Sequence, residues 1–128
     1  MQARGFTLLE MIVVLAILGL ATALVAPSAL RGIDSWRRQA QVDALLDQIR
    51  ALPGRARAQG RAIALSDASL AGAQPPLVVA PEWRLRVPTP WRVSAAGVCE
   101  GGELELGNAY GVRRIRVAAP FCDPAVAP

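Results

Sequence analysis

The sequence predicts an α+β chain in which one long amino-terminal helix packs on a small antiparallel β-sheet domain. From Met11 to Leu30 no side chain is charged, a length and polarity that suit a helix able to cross a bilayer. From Ile33 to Leu52 apolar residues return at mostly three- and four-residue steps, the period of a helix with one buried face. After Gly60 short runs, most of them alternating, are separated by Pro, Gly or Asn, as in half-buried strands joined by turns.

The first element begins at "RGFTLLE", Arg4 to Glu10. An ionisable group at the entrance of a membrane segment is expensive and calls for a partner. A cleaved secretory signal has an apolar core of about 7–15 residues; the run here is longer, and Glu10 would stand at its entrance. A plain membrane anchor with Arg4 on the cytoplasmic side obeys the positive-inside rule, but leaves Glu10 without a role.

The order of residues offers a third reading. A basic residue, Gly5, Phe6 and then Thr-Leu-Leu-Glu10 directly before the apolar run resembles the type III signal of type IV pilins and pseudopilins. The resemblance covers Gly5 to about Leu30. It implies that a prepilin peptidase cuts between Gly5 and Phe6 on the cytoplasmic side, so that residues 1–5 are a leader, and that Phe6 becomes the N-methylated mature terminus. It also matches Glu10 to the family's assembly glutamate. During filament assembly the Glu10 carboxylate of an incoming subunit would pair with the Phe6 ammonium of the previous one, cancelling both charges and helping to fix register.

The resemblance extends to Pro27. A proline inside a helix removes a donor and crowds the preceding turn, so a kink or local melting is expected there, and melting in the assembled filament is what the family implies. Gly19 either permits close helix approach or is a tolerated glycine. The resemblance thus assigns 6–30 to a membrane and filament-core helix.

Residues 31–60 are expected to continue as an amphipathic helix. Ile33, Trp36, Ala40, Leu45, Ile49 and Leu52 form its stripe, with Asp34, Arg37, Arg38, Asp43, Asp47 and Arg50 largely elsewhere. Asp43 and Asp47 repel mildly at one turn's spacing, and Arg50 offsets this. At Pro53-Gly54 the helix either stops or bends and resumes to a cap at Gly60; the second is favoured because Arg55, Arg57 and Arg61 suit a helix end. Residues 61–128 are expected to be β-rich, with strands in "RAIALS", "PLVVA", "WRLRVP", "WRVSA", "GELELG" and "VRRIRVA". A helix followed by small sheets is the pilin fold, and the junction "LLDQIRALPGRARAQGRAIAL" loosely resembles the GspH and FimT group of minor pilins.

Composition narrows the function. The 53% hydrophobic share exceeds the usual ~45–50%, much of the excess lies in the first thirty residues, and the remainder resembles an ordinary small domain. Every positive charge is an arginine and histidine is absent, which removes the commonest general base and metal ligand. With no nucleophile motif and no phosphate-binding loop either, the expectation is a protein that is not an enzyme and has no cofactor. Cys99 and Cys122, an even pair in the part expected to be exported, are read as a disulfide rather than two buried thiols. The tail "APFCDPAVAP" contributes one acid, Asp123, whereas calcium gathers several oxygen ligands. No metal site is therefore expected, although Glu100, Glu103 and Asp123 would be the acids to watch.

What the resemblance implies is a minor pseudopilin, a structural subunit at or near the tip of the periplasmic pseudopilus of a type II secretion system, which helps export folded proteins. Its partners would be other pseudopilins, the prepilin peptidase and the bacterial inner membrane, crossed once with the amino terminus cytoplasmic and the carboxyl-terminal domain periplasmic. The alternative is a minor type IV pilin that binds nucleic acid for DNA uptake through Arg84, Arg86, Arg114 and Arg116, with Arg92 and Arg113 nearby. Such binding would weaken with salt. Glu100, Glu103 and Glu105 argue instead for a solvated face, and Arg113 and Arg114 point to opposite sides of a strand.

Overall fold

The computed structural model describes residues 4–128. In chain order the elements are α1 (Leu8–Gln59), β1 (Ile63–Leu65), α2 (Asp67–Leu70), β2 (Arg84–Arg86), β3 (Trp91–Val93), β4 (Gly102–Asn108), β5 (Gly111–Ala118) and β6 (Asp123–Val126). The chain divides after Gln39 into two compact units, and each is taken by itself.

The first unit is the amino-terminal part of α1. Helix is unbroken across Pro27, although that residue supplies no N–H to the turn before it. Polar side chains in this stretch bond to their own backbone: Thr22 Oγ1 donates to the Leu18 and Gly19 carbonyls, each at 2.9 Å, and Ser28 Oγ to Val25 O at 2.8 Å. That local pairing lets hydroxyls sit in an apolar helix at little cost. Every large apolar side chain from Phe6 to Leu30 is exposed.

The second unit, Ala40–Pro128, has its own core. Val42, Leu45, Ile49, Leu52 and Ala56 of α1 are buried at helical spacing together with Leu65, Val93, Leu104, Leu106, Ile115 and Val117 from the strands. The stripe therefore starts later than expected. Ile33, Trp36 and Ala40 are exposed, and the buried stripe begins at Val42. Arg50 bonds Asp47 at 3.1 Å, as the spacing predicts.

The helix continues through Pro53, whose ring is buried, and ends where the arginine-rich segment predicts. Gly60 adopts φ +64°; its N–H donates to Arg57 O at 3.2 Å, and Arg61 N–H reaches back to Ala56 O at 3.3 Å. This paired closure is the Schellman motif, and it needs the left-handed residue that glycine supplies without strain.

Two antiparallel sheets follow. One pairs β1 with β3, and the other has the order β2-β4-β5-β6. The helix-on-sheet arrangement matches the predicted class. Two strand assignments need correction. "PLVVA" is not a strand: Gln48 of α1 takes the place of a neighbouring strand, donating from Nε2 to Val78 O and accepting Val78 N–H on Oε1, each at 2.8 Å. Prolines at 75, 76 and 81 also deny the segment a regular ladder. Conversely, β6 lies in the tail, which is not among the expected strands. It pairs with β5 in the register Val117↔Pro124, and an edge strand tolerates a proline.

Cys99 and Cys122 are joined by a disulfide, with Cα atoms 5.4 Å apart. Cys99 bridges to Val93 of β3, and Cys122 immediately precedes β6. The bond therefore ties the smaller sheet to the edge of the larger one.

Candidate functional site

Gly5 and Phe6 lie in exposed, non-helical chain directly before α1. The leader expected at residues 1–5 falls partly outside the described residues. Glu10 is exposed in the first turn of the helix, where a carboxylate is favoured by the helix dipole.

The start of that helix is fixed by Thr7. Its Oγ1 accepts the Glu10 N–H at 3.2 Å, while its carbonyl accepts the Met11 N–H, also at 3.2 Å. Thr7 is thus the N-cap and Glu10 the third helical residue. Thr7 is not among the residues singled out from sequence, although the Thr-x-x-Glu spacing is a capping-box signature. The cap ends the helix one residue past Phe6, leaving the expected mature terminus on a short free stub. Along the same helix, a Cβ added at Gly19 would meet nothing within 4 Å, so Gly19 leaves a smooth spot on an otherwise bulky apolar surface.

The second set of candidate residues lies on the larger sheet. Register places Arg86 opposite Glu105 and Glu105 opposite Arg114, a row across three strands. The next row sets Glu103 opposite Arg116, and on the other side Arg84 faces Gly107. Because alternate residues share a face, Arg84, Arg86, Arg114 and Arg116 converge on one exposed surface. Leu85, Leu104, Leu106 and Ile115 turn the other way, toward the core.

Glu105 and Glu103 break that surface into mixed charge. Arg114 Nε lies 3.7 Å from Glu105 and Arg116 Nε 3.8 Å from Glu103, long and solvent-exposed pairs of the kind that contribute little stability. Arg92 pairs separately with Glu100 at 3.1 Å, and Arg113 faces Leu106 on the opposite side of β5. Among the described residues no group of three or more acids or cysteines is placed to hold a metal ion. Glu100, Glu103 and Asp123 do not converge.

Residues 1–26 match the family model for the prokaryotic N-terminal methylation motif. The match spans Gly5, Phe6, Glu10 and most of the exposed apolar helix, and it indicates a type IV pilin-like protein. No curated protein and no solved structure matches the chain.

Proposed function

We propose, from the type IV pilin-like amino terminus, that the protein is a minor pseudopilin: a structural subunit at or near the tip of a type II secretion pseudopilus that helps export folded proteins. One observation carries the reading. The methylation motif runs directly into a helix whose large apolar side chains are all exposed as far as Leu30. Such a surface needs lipid before assembly and neighbouring helices after it.

In this reading the prepilin peptidase cuts after Gly5 and methylates Phe6, and the cap at Thr7 leaves the new amine on the short stub directly before the helix. Glu10 then meets the Phe6 ammonium of the previous subunit. An ionised acid costs about 2.5–3.5 kcal/mol at mid-span on insertion scales, so a counter-charge supplied by the neighbour favours the register that brings the two together. The membrane is crossed once, amino terminus inside and sheet domain in the periplasm. Gly5→Ala should accumulate uncleaved precursor when the peptidase is co-expressed, read by intact mass. Efficient processing of that variant would remove the basis of the proposal.

A second reading, a minor pilin that binds DNA, is favoured by the convergence of Arg84, Arg86, Arg114 and Arg116 on one face, and disfavoured by the interleaved Glu103 and Glu105. Binding to short duplex DNA across a salt series separates the two. The pseudopilin reading expects no binding at physiological salt; micromolar binding with a steep salt slope, lost in the Arg114→Ala/Arg116→Ala double variant, would replace it.

A further inference from the structure

Beyond the apolar run, α1 carries a feature that neither core packing nor the methylation motif accounts for. Trp36 is 84% exposed, whereas Trp83 and Trp91 are 7% and 5% exposed. Ile33, three residues earlier and so on the same side of the helix, is 50% exposed. Three arginines, Arg31, Arg37 and Arg38, lie within the same two turns with a single acid, Asp34.

Helix geometry says where this cluster sits when the preceding run is in a bilayer. Met11 to Leu30 spans roughly 30 Å at 1.5 Å per residue, the thickness of the hydrocarbon core. Trp36 is then roughly 9 Å beyond the core edge, and helical side chains lean back toward the amino terminus. That brings the indole to the headgroup layer, which adds roughly 5–8 Å on each side. Arg31 already folds back this way: its Nε donates to the Pro27 carbonyl at 3.3 Å. An indole with one polar edge and guanidinium groups on apolar stems are the side chains that fit such a boundary.

We infer that residues Arg31 to Arg38 form an interfacial collar that docks on anionic phospholipid, with Trp36 and Ile33 at the acyl boundary and the arginines on headgroup phosphates. The occupant follows from charge complementarity, three cations against one acid, and from continuity with the apolar span. In the proposed orientation the positive-inside rule disfavours arginines on this side, and headgroup phosphates compensate for that. The collar sets how far the helix stands out of the bilayer before a subunit enters a filament. This inference rests on the membrane-anchor reading above.

Tryptophan fluorescence tests it in the full chain. With Trp83 and Trp91 buried, the difference between the native protein and Trp36→Phe isolates Trp36. The protein is reconstituted in phosphatidylcholine vesicles with and without phosphatidylglycerol, using lipids brominated near the headgroup or deep in the chain. The expected result is stronger quenching by shallow than by deep bromines, enhanced by phosphatidylglycerol, with that enhancement lost in Arg31→Gln/Arg37→Gln. Co-flotation with vesicles but no bromine quenching, and full access to acrylamide, overturns the collar and leaves the anchor standing. A blue-shifted, bromine-insensitive emission that grows with protein density assigns the face to a second copy and also overturns it. Failure to co-float overturns both readings. Retention of the disulfide in each variant, checked by mass, excludes misfolding as the cause.

Discussion

Gln48 spends both ends of its amide on one residue, accepting the Val78 N–H and donating to the Val78 carbonyl. A single side chain thereby holds the segment after Pro76 against the helix, and Arg55 adds a second hold by donating to Pro76 O at 2.6 Å. Gln48→Ala removes two hydrogen bonds in a partly exposed setting where water substitutes in part. The expected loss is about 1 kcal/mol, seen as a lower thermal midpoint of Ala40–Pro128, with Gln48→Glu falling between the two because it keeps the acceptor. Nothing in the one-dimensional pattern of "PLVVA" signals this pairing, since the partner lies 30 residues away. The N-cap at Thr7 is the opposite case: its signal is local and complete within four residues.

The continuity of α1 through Pro53-Gly54 depends on what surrounds the pair. Pro53 is buried beside Leu52, while Gly54 is exposed and a Cβ there would meet nothing within 4 Å. Glycine in an exposed helix interior costs about 1 kcal/mol relative to alanine, so Gly54→Ala should raise the stability of Ala40–Pro128 by about that amount in a urea titration. An unchanged or lower midpoint would mean that the backbone at this position is not relaxed helix. The helix and five of the six strands are legible because their apolar residues follow a period of 3.6 or 2. The late start of the buried stripe is not, because Ile33 and Trp36 keep the helical period and are nevertheless exposed. The edge strand β6 was equally hidden, since its place is set by pairing with β5 and by Cys122, which sits at φ +57°, rather than by its own residues. Within the candidate site, the sequence order of Gly5, Phe6 and Glu10 carried the reading, whereas the clustering of four arginines on one face became visible only with the register of β2, β4 and β5.

At the scale of the molecule, the carboxyl-terminal unit, Ala40–Pro128, carries one covalent link between distant parts of its chain. The bond between Cys99 and Cys122 closes a loop with a sequence separation of 23, and constraining the unfolded chain over such a length stabilises by roughly 3 kcal/mol. Cys99→Ser should therefore lower the thermal midpoint of the oxidised domain by several degrees, and a reductant should do the same to the native protein but not to the variant. An unchanged midpoint would place the stability of β6 in its pairing with β5 alone.

The outermost strands of the larger sheet, β2 and β6, are three and four residues long. The first carries arginine at both ends, and the second contains a proline that cannot donate to a new ladder. Short, charged or proline-bearing margins resist the lateral addition of another chain's backbone. These two blunt margins protect the sheet against joining a second copy edge to edge, so that runaway fibre formation through its strands is discouraged.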